Sequence, residues 1–207
     1  DVATKLIAES PNVVIIVVSN PMDTMAYLAH KATGLPKNRI IGMGGALDSA
    51  RFKFRLAEAL GCPQSDVDAM VIGGHSDTGM VPLIKKAVRN SISVAEFLTE
   101  EKMAEVVEAT KVGGATLTKL LGTSAWYAPG AAVSELVRAI ALDSKKLFPC
   151  SALLEGEFGL NDISIGVPCI IGKNGIEKIV EIELSDAEKE KLEASAKGVA
   201  VVNALLD

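Results

Sequence analysis

The side chain with the most evident potential for chemistry is the imidazole of His75. It follows the apolar run Val71–Ile72 and two glycines, and it is one of only two histidines in 207 residues. An imidazole has an ordinary pKa of about 6.5 and exchanges protons near neutral pH, and glycines let a ligand or another backbone approach closely. This pattern is typical of an acid–base group at a cleft, and a structural histidine bonded to a neighbouring carbonyl is the alternative. The second histidine, His30, lies beside a charge in a predicted helix and is expected at the solvated surface.

Asp48 and Arg51 form a second candidate group. They are three residues apart in a predicted helix, so they share one of its faces. An arginine at the wall of a cleft can hold a carboxylate through two parallel hydrogen bonds, and an aspartate can orient an imidazole and stabilise its charged form. An ordinary surface ion pair, worth roughly 0.2–0.5 kcal/mol, explains the same spacing.

The polar residues Ser19 and Asn20 directly follow an apolar run at 13–18 that ends at Val18. A continuous run of β-branched residues predicts a strand buried on both faces. Ligands bind at the carboxyl ends of strands in open parallel sheets, and Asn20 would lie at such an end. Because Pro21 favours the start of a helix at this point, capping of that helix is the alternative role for Asn20.

The order of predicted elements indicates an α/β fold. Helices are predicted at 1–10, 22–33, 46–60, 99–121 with an interruption at 113–114, 130–142 and 186–206, and strands at 13–18, 39–42, 69–72, 148–154, 163–171 and 176–182. The first three strands alternate with helices, which predicts a parallel, doubly wound sheet of Rossmann type. The last three are joined by glycine-containing turns, which predicts an α+β domain with antiparallel strands.

Composition argues against several classes of function. The net charge is -5, and no basic stretch indicates binding to nucleic acid or to an anionic membrane. The run at 13–18 is too short to span a bilayer. Cys62, Cys150 and Cys169 have no C-x-x-C spacing, so neither a disulfide framework nor a metal site is predicted. Widely spaced free thiols favour a reducing cytoplasm.

Five stretches occur in an order and at a spacing that are highly specific. They are 15–23 (IIVVSNPMD), 39–43 (RIIGM), 47–52 (LDSARF), 73–77 (GGHSD) and 171–177 (IGKNGIE). With these stretches the chain resembles the lactate/malate dehydrogenase family, and within it the bacterial malate dehydrogenases of the lactate-dehydrogenase-like branch. The resemblance extends along essentially the whole chain.

The resemblance implies a role for each of the first three side chains. His75 matches the imidazole that takes the proton from the hydroxyl of malate as hydride leaves its carbon, and that returns the proton in the reverse reaction. Asp48 matches the carboxylate that orients this ring and favours imidazolium, which prepares the site for reduction. Arg51 matches the clamp on the C1 carboxylate of the substrate, a bidentate contact that lysine could not replace.

The resemblance also implies NAD as the cofactor. Asn20 matches a residue that contacts both the substrate and the nicotinamide ribose, with Val18 and Ser19 along the cofactor beside it. In the family pattern, the G-x-G-x-x-G fingerprint and a mobile loop with two further arginines lie upstream of residue 1. The chain is therefore expected to be the later two-thirds of such an enzyme. Residues 1–43 would end the dinucleotide-binding domain, and 44–207 would form the catalytic domain.

The expected function is reversible hydride transfer between malate and NAD to give oxaloacetate and NADH, in a cytoplasmic homodimer or homotetramer. An L-lactate dehydrogenase is the nearest alternative, because the family residue that faces the far end of the substrate is not in this sequence. An alternative of another class is a non-catalytic assembly fragment that lacks the cofactor half. The 207-residue chain alone is expected to be inactive.

Overall fold

A long antiparallel hairpin forms the centre of the structure, a computed structural model that describes residues 1–206. Its strands are β8 (Lys146–Glu155) and β9 (Asn161–Gly172). Consecutive residues of both strands are buried, because helices cover both faces of the sheet. This explains why both strands have nearly continuous apolar sequences rather than an alternating pattern.

The remaining elements surround this hairpin. In residues 1–206 the helices are α1 (Val2–Glu9), α2 (Met22–Thr33), α3 (Gly44–Leu60), α4 (Glu100–Lys111), α5 (Gly113–Leu121), α6 (Tyr127–Ala141) and α7 (Asp186–Asn203). The other strands are β1 (Ile15–Val17), β2 (Ile40–Gly42), β3 (Val67–Asp68), β4 (Val71–Gly73), β5 (Met80–Pro82), β6 (Val88–Arg89), β7 (Ile92–Ser93) and β10 (Gly175–Ile179). The α/β fold class is confirmed, and most predicted elements are present with ends shifted by a few residues.

The sheet is mixed, which corrects one part of the predicted topology. Its strand order is β1-β2-β8-β9-β4-β5, with β10 also paired to β9. Strands β1 and β2 are parallel and are joined by α2, as predicted. The third predicted strand, β4, instead pairs antiparallel with both β5 and β9. The physical reason is that the β8–β9 hairpin separates β4 from β2, and a short turn rather than a crossover helix leads from β4 to β5.

Two short strands end on the same row of the sheet. Gly42 of β2 pairs with Ser151, Ser151 with Gly166, and Gly166 with Gly73 of β4. Because β2 and β4 run in opposite directions, each reaches this row from a different end of the sheet along the strand axis. The chain leaves the row into α3 after Gly42 and into a loop after Gly73. These two exits bring distant parts of the sequence to one place.

His30 is buried, so the expectation of a solvated histidine was wrong. Its residue is only 7% exposed. Met22, Ala26, Ala29 and His30 follow the i, i+4, i+7, i+8 spacing of one helix face, and α2 packs this face against the sheet. The neighbouring charge of Lys31 points from another face, so it was a poor guide to the burial of His30.

Candidate active site

Asp48 lies between His75 and Arg51 and bonds to both. Its Oδ2 atom is 2.6 Å from Nδ1 of His75, and its Oδ1 atom accepts a hydrogen bond of 3.0 Å from Nη1 of Arg51. The Asp48 side chain is 2% exposed, against 13% for His75 and 22% for Arg51. A carboxylate can only accept, so Nδ1 carries a hydrogen and Nε2 is the ring nitrogen available to exchange a proton. The structure thus brings together three residues that the sequence places up to 27 positions apart.

The surroundings of His75 favour its protonated form. Burial of the ring lowers its pKa, but the hydrogen bond and charge of Asp48, together with the charge of Asp23, outweigh burial. Arg51 opposes them as a like charge. The net result is a His75 pKa above the ordinary value of 6.5. The ring is therefore prepared to give a proton to a bound group near neutral pH.

Two glycines at the start of α3 allow this arrangement. A Cβ atom on Gly44 would lie 2.7 Å from Cβ of His75, and one on Gly45 would lie 2.8 Å from the carbonyl oxygen of Pro149. Side chains at these positions would push α3 away from the loop and from β8. The predicted helix began at residue 46, but its first turn begins at Gly44. The absence of a side chain at Gly44 lets α3 approach His75, and its absence at Gly45 lets α3 approach β8.

The backbone around His75 is held by two side chains that sequence reasoning missed. The N–H of His75 donates to Oδ2 of Asp23 at 2.7 Å, and the N–H of Gly74 donates to Oγ of Ser195 at 2.8 Å. Asp23 belongs to α2 and Ser195 to α7. Asp23 stands in the motif 15–23, so its position next to Asn20 was a usable signal. Ser195 lies in a helix rich in charged residues, and the sequence pattern gave no indication of its contact.

Arg51 extends from α3 towards the first turn of α5. A Cβ atom on Gly114 would lie 3.3 Å from Nη1 of Arg51, so the missing side chain leaves room for the guanidinium group. The sequence predicted an interruption of the helix near Gly113–Gly114, and the break falls at Val112 between α4 and α5. The guanidinium is partly exposed, and one of its nitrogens is bonded to Asp48. It retains donors that can bind an anion.

Val18, Ser19 and Asn20 are exposed at the carboxyl end of β1. The peptide bond between Asn20 and Pro21 is cis. Within residues 1–206, none of the three makes a side-chain hydrogen bond, so their polar and apolar atoms are free to contact a ligand. No cap bond from Asn20 to α2 is present in the described chain, and the capping alternative is not supported. Asp23, one turn further, joins this segment to His75.

The described residues also bear on the other expectations for ligands. In residues 1–206, no group of three or more histidine, cysteine, aspartate or glutamate side chains is arranged to hold a metal ion. No helix in that range has the length and apolar character needed to cross a membrane. A groove of about 980 Å³ lies between α3 and α6. Within the described chain Arg51 lines this groove, whereas His75 and Asp48 do not, so the groove is separate from the acid–base pair.

Comparison with known proteins agrees with this geometry. The family model described as "lactate/malate dehydrogenase, alpha/beta C-terminal domain" matches residues 45–200. The model described as "lactate/malate dehydrogenase, NAD binding domain" matches residues 1–42. The chain belongs to the lactate/malate dehydrogenase family. The resemblance drawn from the sequence motifs is confirmed.

Individual members of the lactate/malate dehydrogenase family match over nearly the whole chain. A malate dehydrogenase of Bacteroides thetaiotaomicron is 62% identical over 205 residues, which cover 99% of this chain and 66% of that protein. The structure of the malate dehydrogenase from Aeropyrum pernix has a TM-score of 0.97 at 37% identity and covers 100% of this chain and 69% of its own. A lactate dehydrogenase of Cryptosporidium parvum, complexed with lactic acid and nicotinamide adenine dinucleotide, has a TM-score of 0.96 at 37% identity, covering 100% and 67%. The chain spans 66% of the length of the first curated relatives that it matches.

Proposed function

We propose that this chain carries the substrate-binding and acid–base half of an NAD-dependent malate dehydrogenase, which interconverts malate and oxaloacetate. The observation that carries the proposal is the bonded set His75–Asp48–Arg51, which combines a proton-exchanging ring with a fixed cation. Oxidation of a hydroxy acid requires removal of a proton from oxygen and a hydride from carbon. The first requirement is met by this chain.

In this proposal His75 moves the proton. For malate oxidation, the neutral ring accepts the hydroxyl proton at Nε2 while Asp48 keeps the hydrogen at Nδ1 and stabilises the resulting imidazolium. For oxaloacetate reduction, the imidazolium donates that proton to the carbonyl oxygen. Because Asp48 and Asp23 raise the pKa of His75 above its ordinary value, the site favours the protonated form that reduction needs.

Arg51 orients the substrate. Its guanidinium is held on one side by Asp48 and keeps further N–H groups for a carboxylate. A planar guanidinium can bind the two oxygens of a carboxylate with parallel hydrogen bonds, which fixes the direction of the adjacent carbon. The bond to Asp48 limits the rotamers of Arg51 and reduces the entropy lost when the substrate binds.

Val18, Ser19 and Asn20 fit the nicotinamide end of NAD. They are exposed at the carboxyl end of β1, within the parallel β1–α2–β2 unit, where dinucleotides bind in sheets of this type. When bound, NAD would accept or supply the hydride. The chain's own contribution is an apolar side chain and two polar ones at this edge. We place the end of the dinucleotide-binding domain at residues 1–43 and the catalytic domain at 44–207.

Malate rather than lactate is proposed as the substrate because curated relatives at 58–62% identity bear the name malate dehydrogenase. Lactate dehydrogenases among the structural neighbours keep L-lactate as a second candidate. Both substrates have a carboxylate for Arg51 and a hydroxyl for His75. The second carboxylate of malate distinguishes them, and the arginine loop that would bind it belongs, by the family resemblance, to a segment outside these 207 residues.

A second copy of the chain is the proposed protein partner. The groove between α3 and α6 is lined mainly by small or apolar residues, with Phe54 half exposed at its wall. An apolar surface of this extent supports a homodimer or homotetramer that pairs next to Arg51. A Phe54→Asp variant should then sediment as a smaller species than the wild type. We propose a cytoplasmic location, which the three free cysteines support.

The test is a rate measurement on the full-length protein with oxaloacetate and pyruvate as competing substrates and NADH as reductant. Faster reduction of oxaloacetate supports malate dehydrogenase, and faster reduction of pyruvate supports the lactate alternative. NADH fluorescence on the 207-residue chain by itself tests the alternative of an inert assembly fragment. That alternative requires that neither the chain nor the full-length protein turns over either keto acid.

A further inference from the structure

Asp23 is a buried acid whose side chain accepts a hydrogen bond from the backbone of His75 and faces the neutral hydroxyl of Ser151 in β8. The residue is 6% exposed, and its Oδ2 atom accepts the backbone N–H of His75 at 2.7 Å. Its Oδ1 atom is also buried and has no hydrogen-bond partner within the described chain. A carboxylate that is removed from water and only half satisfied is costly, so its presence requires an explanation.

An ordinary helix-capping role does not explain Asp23. It is the second residue of α2, yet α2 has no side-chain cap bond in the described chain. Its bond instead crosses 52 positions to a loop that follows β4. An asparagine or serine could accept the same N–H without a buried charge. Holding the backbone of His75 thus explains the hydrogen bond of Asp23 but does not explain its negative charge.

The charges that face His75 suggest a reason for this negative charge. Asp48 and Arg51 face the ring from α3 and Asp23 faces it from α2, whereas α7 contributes the neutral hydroxyl of Ser195 at Gly74. With both acids ionised and His75 protonated, two negative and two positive charges cancel. When His75 loses its proton, the same buried group has a net charge of -1. Low dielectric surroundings penalise that imbalance and so favour the protonated ring.

We propose that Asp23 is a positioning residue with two functions: it anchors the backbone of His75, and it supplies a second buried negative charge that stabilises the imidazolium. This inference rests on the proposed function only in taking His75 as the group that exchanges the proton. The direction of the pKa effects agrees with it, since the charge of Asp23 raises the pKa of His75 and the charge of His75 favours ionised Asp23. Burial acts against the ionised form of Asp23 and raises its pKa overall.

The Asp23→Asn variant separates the two functions. Asparagine keeps an oxygen acceptor for the His75 N–H and removes the charge, so the neutral ring of His75 should be favoured. Asp162→Asn is the matched control, because Asp162 is an exposed acid bonded to Lys31 and Tyr27. His30, on the same helix as Asp23, is an internal control whose ring signals should not change between the variants.

The measurement is an NMR titration of the full-length protein with isotope-labelled histidine rings, in which His75→Gln identifies the His75 signal. Asp23→Asn should lower the His75 midpoint, with roughly a tenfold loss of proton affinity as the smallest effect expected for one opposite charge. Asp162→Asn should leave the midpoint in place. An unchanged midpoint in Asp23→Asn would overturn the proposal and leave Asp23 as a structural brace.

Two further results keep the inference distinct from the proposed function. Should Asp23→Asn fail to fold, Asp23→Ser offers a second neutral acceptor for the same titration. In the pH profile of oxaloacetate reduction, the alkaline limb should move to lower pH in Asp23→Asn. A protein that reduces no keto acid but still shows the shifted His75 midpoint would refute the proposed function and support the role of Asp23.

Discussion

The two histidines of the chain are both largely removed from water, and their surroundings act on them in opposite directions. His75 is bonded to Asp48 and has the charge of Asp23 nearby, and its pKa is raised. His30 is buried in α2, its Nε2 atom has no hydrogen-bond partner in residues 1–206, and its pKa is lowered by burial. Glu155 favours the charged form of His30 from a distance but does not overcome burial.

The difference shows that burial alone does not make a histidine functional. In both regions burial disfavours the charged ring. Around His75 two acids from different helices exceed this penalty, and the ring can exchange a proton at physiological pH. Around His30 no described acid is bonded to the ring, so it remains neutral and serves as part of the core. Whether a buried histidine can exchange a proton therefore depends on the acids that surround its ring and not on how deeply the ring is buried.

Replacement of each histidine by glutamine should give the largest contrast. His75→Gln removes the group proposed to exchange the proton, and the turnover of the full-length enzyme should fall by about 10²- to 10⁴-fold. His30→Gln should leave turnover near the wild-type value. Steady-state rates with thermal unfolding as a folding control provide the check. Equal losses in the two variants would refute the contrast between the two regions.

Removal of the acid that acts on each ring should sharpen the contrast between His75 and His30. Asp48→Asn removes the charge that stabilises the imidazolium and can present an amide donor to Nδ1, so turnover should fall by about 10²- to 10⁴-fold. Glu155→Gln, the matched change near His30, should have no effect on turnover. The alkaline limit of the reduction rate should also move to lower pH in Asp48→Asn and should stay in place in Glu155→Gln. An unchanged limit would show that Asp48 does not control the ionisation of His75.

Replacement of the fixed cation should affect substrate binding. Arg51→Lys keeps the charge and loses the planar pair of donors, so kcat/KM for oxaloacetate should fall by about 10- to 10²-fold, mainly through a higher KM. Arg55→Lys is the matched control on α3, because Arg55 pairs with exposed Glu58. Similar KM values for both variants would show that Arg51 is not the carboxylate-binding residue.

A methyl group at the start of α3 should disturb the His75 region through packing alone. Gly44→Ala places a Cβ atom against that of His75 and should cost about 1–3 kcal/mol of unfolding free energy along with part of the activity. Gly198→Ala in α7 has open space around its Cβ position and should stabilise the protein by up to about 1 kcal/mol. Denaturant unfolding of both variants checks the prediction, and a neutral Gly44→Ala would refute the close approach of α3.

The pH dependence of stability should have opposite signs for the two histidines. The folded pKa of His30 is below 6.5, so the folded state prefers the neutral ring. The contribution of His30 to the stability of the folded state is complete above pH 6.5 and is lost as the pH falls from 6.5 through the folded pKa. The folded pKa of His75 is above 6.5, so its contribution is complete below 6.5 and is lost as the pH rises through the folded pKa. Unfolding of wild type, His30→Gln and His75→Gln at several pH values should therefore give difference curves with opposite slopes. Slopes of the same sign would contradict the comparison.

Patterns of nearby residues in the sequence predicted the helices well where the local sequence determines where a helix begins and ends. The spacing of Met22 to Thr33, followed by Gly34, gave both ends of α2. The break near Gly113–Gly114 separated α4 from α5. The resemblance of five motifs to one family predicted which side chains to examine, and the geometry brings Asp48, Arg51 and His75 together. The roles assigned to Val18, Ser19 and Asn20 stay predictions.

The sequence by itself determined the types of side chain, the helix faces and the family, because these depend on local spacing and on motif order. Only the tertiary structure decided that β4 runs antiparallel beside β9, that β2 and β4 end on one row, and that Asp23 and Ser195 hold the backbone at His75. Each of these features is a contact between segments far apart in sequence. Such contacts depend on how the β8–β9 hairpin inserts into the sheet and on how closely neighbouring segments approach at Gly42, Gly44 and Gly73. No local pattern of residues encodes either of them.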